Sequence, residues 1–151
     1  MGRDEAFDRA LEALSRKERT QAELSEWLAA RGFPAEEVTE AIERLIELGE
    51  LDDARFARRY AEDKRELRGW GPERIRLALQ GRGLVGAEID AALAGDDRDD
   101  QLERAIELLA RRGDPLGDDA GRSRALAFLT RRGYDYELAY EAVRRCDRRA
   151  A

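Results

Sequence analysis

The sequence contains no histidine and only one cysteine, Cys146. Histidine is the commonest general base and the commonest metal ligand, so its absence argues against an enzyme and against a metal centre. Glycine-rich phosphate-binding motifs such as GxxxxGK[ST] and GxGxxG are missing as well. A single cysteine excludes a disulfide framework and is typical of a reducing cytosol. We therefore expect a cytoplasmic protein that is not an enzyme and has no metal or cofactor.

Long apolar runs are also absent. The first twenty residues do not contain one, which argues against a secretory signal, and no later stretch could span a bilayer. Proline occurs only three times and β-branched residues are scarce, whereas charged residues make up 41% of the chain and alanine and leucine dominate the apolar fraction. This composition predicts a solvated all-α protein that does not bind membranes.

An internal repeat is the most informative feature that the sequence does have. Three segments share the pattern L-x-x-R-G followed by an apolar residue. They are LAARGFPAEEVTEAI (28–42), LQGRGLVGAEIDAAL (79–93) and LTRRGYDYELAYEAV (129–143). Their glycines, Gly32, Gly83 and Gly133, lie 51 and 50 positions apart. The period predicts three units of about 50 residues.

Each unit is predicted to contain three helices. Thr20 and Glu23 form the sequence of a capping box, and Gly32 is suited to end the same helix in a left-handed conformation. Asp52 or Asp53 is expected to cap the first helix of the second unit. One such unit buries little apolar surface, so we expect an elongated, curved array of three tandem three-helix, helix-turn-helix-like repeats. The predicted repeats are 1–51, 52–97 and 98–151.

Charge alternates in blocks along the chain, although the total is only −6. The net charges are −8 over 1–53, +5 over 54–82, −7 over 83–121 and +4 over 122–151. A basic block on an acidic protein can contact phosphates or an acidic protein surface. It can equally be the solvated face of helices with i,i+4 ion pairs such as Arg58–Glu62 and Arg59–Asp63. Both interpretations stay open.

Aromatic residues accompany the basic block. Phe56 and Tyr60 share a helical stripe and are expected to pack in the core. Trp70 precedes Gly71 and Pro72, so it is predicted either to form a hydrophobic staple with Ile75 or to contact a partner. The candidate contact residues of this block, which we call the basic band, are Arg55, Arg58, Arg59, Lys64, Arg65, Arg68, Trp70, Arg74 and Arg76.

The central repeat resembles a known family. The stretches are L-G-E-L-D-D-x-x-F-A (48–57), R-G-W-G-P-x-x-I-x-x-x-L-x-x-R-G-L (68–84) and I-D-x-A-L (89–93). They are similar to the central repeat of the RecX regulatory proteins, and the L-x-x-R-G turns of the flanking units are similar to the family's first and third repeats. The resemblance covers essentially the whole chain.

The resemblance implies a monomeric bacterial regulator of homologous recombination, DNA repair and the SOS response. Such proteins bind the RecA recombinase, lie in the groove of its filament on DNA, and block filament extension, ATP hydrolysis and strand exchange. Linked repeats suit this role, because contacts with successive filament subunits add through effective concentration. The basic band would face acidic patches of the filament or the phosphates of single- or double-stranded DNA.

Two other functions are compatible with the sequence. A direct helix-turn-helix DNA-binding protein would read bases with one of its third helices, but only the segment 135–149 has a basic end. A helical-repeat scaffold could bind an unrelated protein, although the period of 50–51 residues exceeds the 34 to about 47 of the common helical solenoids.

Overall fold

The computed structural model describes residues 3–150 of the chain. Within this range the secondary structure consists of nine α-helices and contains no strand. The helices are α1 (Arg3–Arg16), α2 (Gln21–Ala30), α3 (Ala35–Glu47), α4 (Asp53–Arg68), α5 (Pro72–Gly81), α6 (Gly86–Leu93), α7 (Arg98–Arg112), α8 (Asp119–Arg131) and α9 (Tyr136–Ala150). The predicted all-α class is confirmed.

The L-x-x-R-G motif ends the second helix of every repeat in the same way. Its glycines have left-handed φ angles of 89°, 86° and 102°. In each copy the N–H of the apolar residue after the glycine donates to the carbonyl of the leucine that opens the motif. The pairs are Phe33 to Leu28 (3.4 Å), Leu84 to Leu79 (3.2 Å) and Tyr134 to Leu129 (3.2 Å). Because all six side chains are buried, this Schellman-type turn closes the helix and anchors it in the core.

The chain forms two compact units. Unit 1 comprises Met1–Arg59 and Leu79–Ala92, and unit 2 comprises Tyr60–Ala78 and Leu93–Ala151. The limits of the units fall inside α4 and α5, so the helices of the central repeat contribute to both. The repeat boundaries at 51/52 and 97/98 stay a prediction, since a sequence repeat need not coincide with a compact unit.

The core of unit 1 is built around α1, α2 and α3, which pack against one another. Leu24 and Leu28 of α2 are buried. Leu11 of α1 has the helical spacing of the apolar residues Phe7 and Leu14 but is 37% exposed. The helix instead turns a face of small residues toward α3, and alanine side chains permit close approach of two helices. These residues are Ala6, Ala10 and Ala13.

The core of unit 2 is formed by α7, α8 and α9. Two capping aspartates set the starts of the first two of these helices. The carboxylate of Asp97 accepts from the N–H of Asp100 at 2.8 Å, and that of Asp118 accepts from the N–H of Gly121 at 2.7 Å. Both helices begin immediately after an acidic cap.

Two absences hold for the described range. Between residues 3 and 150 the chain has no helix of the length and apolar character that crossing a membrane requires. The same residues contain no cluster of three or more acidic, cysteine or histidine side chains arranged to hold a metal ion.

Candidate functional site

Unit 1 contains a junction between the second helices of the first two repeats. The predicted capping box is confirmed, because Thr20 Oγ1 accepts from the N–H of Glu23 (3.1 Å) and Glu23 Oε1 accepts from the N–H of Thr20 (3.0 Å). The Thr20 hydroxyl also donates to the carbonyl of Arg82 at 2.8 Å. A Cβ atom at Gly83 would lie 2.5 Å from the Cβ of Ala22. The R-G pair of the repeat motif thus fits against the start of α2.

An ion pair reinforces this junction. The Arg82 guanidinium donates two hydrogen bonds of 3.0 Å to the carboxylate of Glu23, and its Cζ lies 4.6 Å from the ring centroid of Phe56. Partial burial raises the pKa of Glu23, but the hydrogen bonds from Arg82 and from the Thr20 backbone outweigh it and hold the pKa below 4.5. Arg82 therefore serves the fold and is not free to bind a partner.

The two aspartates at the start of α4 have different roles. Asp52 accepts from the N–H of Arg55 at 3.0 Å, which confirms it as the cap of α4. Asp53 is only 8% exposed, and its carboxylate accepts from the N–H of Gln21 at 2.9 Å, so it caps α2. Burial raises the pKa of Asp53 despite this bond, and the charges of Asp52 and Glu23 act in the same direction.

Unit 2 contains the equivalent junction between the second helices of the second and third repeats. The N–H of Gly71 donates to the carbonyl of Arg132 at 2.7 Å, and the N–H of Glu73 donates to the carbonyl of Gly133 at 3.0 Å. A Cβ atom at Gly71 would come within 2.6 Å of the Gly133 carbonyl group. Gly71 and Thr20 each stand twelve positions before the glycine of their own motif. The same contact between neighbouring repeats is therefore used twice.

The first part of the basic band lies in unit 1. Arg55 donates to the carbonyl of Gly49 at 3.1 Å, and Arg59 forms an ion pair with Glu18 at 3.0 Å. The predicted pairing of Arg59 with Asp63 was therefore wrong. Arg58 is exposed and has no ion pair with any residue that the structure describes, so the predicted pair with Glu62 does not form. Of these three arginines, Arg58 alone has no hydrogen bond or ion pair of its side chain with another described residue.

The second part of the band lies in unit 2 and surrounds a half-buried Trp70. The indole meets the Tyr60 ring edge-on, with centroids 6.4 Å apart and planes at 63°. Lys64 Nζ lies 4.9 Å and Arg74 Cζ 4.2 Å from the indole centroid. Two cations on one indole form cation–π contacts without neutralising either charge. We call Tyr60, Lys64, Trp70 and Arg74 the Trp70 cluster.

The helix start that the staple interpretation of Trp70 requires is present, whereas the staple contact between Trp70 and Ile75 stays a prediction. Pro72 is the first residue of α5, and the Gly71 carbonyl accepts from the N–H of Ile75 at 3.3 Å. Ile75 is fully buried, as is expected of the fourth helical position. The indole of Trp70 contacts the other three residues of the Trp70 cluster. Two residues were predicted to lie in the core. Phe56 is buried, whereas Tyr60 is half-buried and its ring packs against Trp70.

Arg65 belongs to a buried ionic network in unit 2. Its Nε lies 3.4 Å from a carboxylate oxygen of Asp96, whose side chain is 2% exposed. Arg104 donates two hydrogen bonds to the same carboxylate, at 2.8 and 3.0 Å, and a third of 2.8 Å to the Tyr134 hydroxyl. That hydroxyl donates to the carbonyl of Gly69 at 2.9 Å. Arg65 therefore compensates a buried charge, and burial raises the pKa of Tyr134.

Arg68 lies at the edge of a groove of about 680 Å³ in unit 2. Its side chain is exposed and has no ion pair among the described residues, while its carbonyl accepts from Arg132 at 2.6 Å. Leu67, 78% exposed, lies beside it. Arg76, the last member of the band, is half-buried on α5. The other arginines that line the groove are Arg65, Arg104, Arg111 and Arg132.

Sequence reasoning missed the contribution of α7 to this groove. Arg104 and Arg111 stand in the acidic block 83–121 and were therefore discounted. Their spacing of seven residues, which places two residues on one helix face, was the available signal. Asp96 was missed because it lies in the acidic run GDDRDD (95–100), and charge runs of this kind are usually solvated.

Two family models match the chain. One describes "RecX, first three-helix domain" and matches residues 6–45; the other describes "RecX, second three-helix domain" and matches residues 52–93. The predicted architecture of tandem three-helix repeats is confirmed by these matches together with the nine helices of the described range.

Curated relatives and solved structures agree with this result. Proteins named "Regulatory protein RecX" are 33% identical in Mycolicibacterium vanbaalenii (88% of this chain, 77% of the relative) and 36% identical in Ectopseudomonas mendocina (91% and 92%). The crystal structure of RecX from Lactobacillus salivarius has a TM-score of 0.86 at 23% identity and covers 96% of both chains, which shows the fold. A second structure, of "regulatory protein RecX", has a TM-score of 0.81 at 25% identity, with 95% of this chain and 71% of that chain covered.

Proposed function

Because the chain belongs to the RecX family of regulatory proteins, we propose that it binds the RecA recombinase filament and inhibits filament extension, ATP hydrolysis and strand exchange. In this role it regulates homologous recombination and DNA repair by binding and not by catalysis. The family match is the observation that carries the proposal.

Exposed cations on α4 support a binding role. Arg58 and Arg68 are exposed, and neither has an ion pair among residues 3–150. A guanidinium without an internal carboxylate keeps all its donors for a carboxylate or phosphate of a partner. By contrast, Arg59 pairs with Glu18 and Arg65 with Asp96. We therefore assign the main partner contacts to Arg58 and Arg68.

The Trp70 cluster is the second element of the proposed interface. Lys64 and Arg74 lie on the indole and keep their full charges, since cation–π contact leaves the ammonium and guanidinium groups able to meet an anion. The cluster can bind an acidic patch of the filament or a phosphate of its DNA. A change in affinity with salt concentration separates the two, because phosphate contacts release counterions and give a steep slope.

The test is ATP hydrolysis by RecA on single-stranded DNA while the protein is titrated. We expect inhibition at micromolar concentrations, and its absence would reject the proposal. The double variant Arg58→Glu/Arg68→Glu should keep its helical circular dichroism and need at least tenfold more protein for the same inhibition. The matched control is Arg124→Glu/Arg131→Glu, which changes two exposed arginines of α8 by the same charge; it should inhibit like the wild type.

Two other outcomes would assign a different function. Strong sequence preference for duplex DNA, with a steep salt dependence and no effect on RecA, would indicate a direct DNA-binding protein. Recovery of an unrelated protein, and not of RecA, by the immobilised chain would indicate a scaffold.

A further inference from the structure

Unit 1 contains a hollow lined by basic side chains, although residues 1–53 are acidic overall. Residues 1–53 contain seven basic and fifteen acidic side chains. Four of the seven basic residues nevertheless gather around Trp27. Three of them line a hollow of about 300 Å³ next to the indole, and the fourth lies on the ring. They are Arg9, Arg16, Arg31 and Arg19.

Trp27 holds the hollow in shape. The Cζ of Arg31 lies 3.6 Å from the indole centroid, and its Nη1 donates to the Trp27 carbonyl at 3.3 Å. The Cζ of Arg19 lies 5.3 Å from the same centroid. The half-buried indole also packs against the core of unit 1. Stacking of this kind fixes a guanidinium plane and leaves its edge N–H groups free to donate.

The positive charge of the hollow is not fully compensated. Glu12 is the one acidic residue in the lining, and Arg16 neutralises it through an ion pair of 2.6 Å. Arg9 is exposed and has no ion pair with a described residue, and the bonded partner of Arg31 is a carbonyl and not a carboxylate. Two guanidinium groups therefore line one hollow without a counter-charge, as a site for an anion requires.

The rest of the unit limits which anion can bind. The outer face of α3 is acidic, and Glu36, Glu40 and Glu43 line a separate shallow depression there. A long polyanion such as nucleic acid that extended from the hollow to this face would be repelled by its carboxylates, because like charges repel within the screening length of about 8 Å at physiological ionic strength. A short anionic group can stay within the hollow, where the one lining carboxylate, Glu12, is already paired with Arg16. Carboxylates match the planar fork of arginine in a bidentate manner.

We propose that the hollow around Trp27 binds an acidic segment of a protein partner, with one carboxylate held between Arg9 and Arg31. The inference rests on the proposed function, since the partner is the protein that the chain regulates. It extends the interface beyond the basic band to a region of the chain whose net charge is −8.

The test is a titration of the full-length, ¹⁵N-labelled chain with N-acetylated tetraglutamate, observed at the indole N–H signal of Trp27. Substitution Trp27→Phe assigns the signal. We expect a saturable shift, and at least a tenfold loss of affinity in both Arg9→Glu and Arg31→Glu. Lys17→Glu is the matched control, because it makes the same charge change on an exposed residue outside the lining. It should alter the affinity less than twofold.

Several results would overturn the inference. These are an unshifted Trp27 signal, an equal loss of affinity in Lys17→Glu, or tighter binding of a thymidine oligonucleotide than of the peptide at this signal. The ATP hydrolysis assay with RecA distinguishes a failure of this inference from a failure of the proposed function. If the chain binds the peptide but does not inhibit RecA, the proposed function is rejected. If the chain does not bind the peptide, and both the wild type and Arg9→Glu inhibit RecA, only the proposed binding site around Trp27 is rejected.

Discussion

A Cβ atom at Gly83 would lie 2.5 Å from the Cβ atom of Ala22, and Gly83 has a left-handed φ of 86°. Substitution Gly83→Ala should therefore lower the free energy of unfolding by about 2–4 kcal/mol, since it adds overpacking to backbone strain. Urea denaturation measures this. Gly81→Ala is the control, because no atom lies within 4 Å of its Cβ position. It should be neutral or stabilise by up to about 1 kcal/mol.

The cap that Asp53 provides for α2 can be separated from its charge. Asp53→Ala leaves the N–H of Gln21 without its acceptor and should cost about 1–2 kcal/mol. Asp53→Asn keeps an acceptor oxygen and removes a carboxylate whose pKa burial raises, so its stability near neutral pH should equal or exceed that of the wild type. Thermal denaturation of the two variants compares them. Equal losses in both would show that the charge and not the hydrogen bond matters.

The ion pair of Glu23 and Arg82 predicts a pH dependence. The pKa of Glu23 is held below 4.5 in the folded chain, so its ionised form stabilises the fold above that value, and this stabilisation is lost as the pH falls through the folded-state pKa. The wild type should therefore be more stable than Glu23→Gln near neutral pH, and the difference should shrink as the pH falls below the ordinary pKa of a glutamate. Glu26→Gln, which removes one carboxylate from an exposed position of the same helix, is the control for the change of charge. A difference independent of pH would contradict the assignment.

Asp96 compensates two nearly buried arginines. Asp96→Ala removes the carboxylate that pairs with Arg65 and Arg104, whose side chains are 15% and 18% exposed. We expect a loss of about 3–5 kcal/mol, the usual result of breaking a buried ion pair on one side. Asp99→Ala, an exposed position nearby, should stay within about 0.5 kcal/mol of the wild type. Chemical denaturation measures the free energy of unfolding of both variants. If Asp96→Ala is as stable as Asp99→Ala, Asp96 has no structural role.

Local features of the fold could be predicted from the sequence because they depend on neighbouring residues. The capping box of Thr20 and Glu23, the left-handed glycines and the start of α5 at Pro72 all follow from interactions within a few positions. The threefold repeat was equally visible, since its leucine, glycine and apolar residue act within one turn.

Contacts between residues that are distant in the sequence could not be predicted from it. Nothing in the sequence indicates that Asp53 caps a helix 32 positions earlier, or that Arg59 pairs with Glu18 and not with Asp63. The burial of Asp96 depends on arginines from two different helices, and an acidic run in the sequence does not show that these arginines surround it. The arginines around Trp27 were hidden for the same reason, since summing charge along the chain does not show which side chains share a surface.

Co-sedimentation with preassembled RecA filaments on single-stranded DNA tests the central claim most directly. The account predicts that the chain sediments with the filaments, in proportion to RecA and saturably, and that far less sediments with the same DNA coated by an unrelated single-strand-binding protein. A chain that stays in the supernatant with RecA filaments, or that sediments equally with both complexes, would contradict the claim.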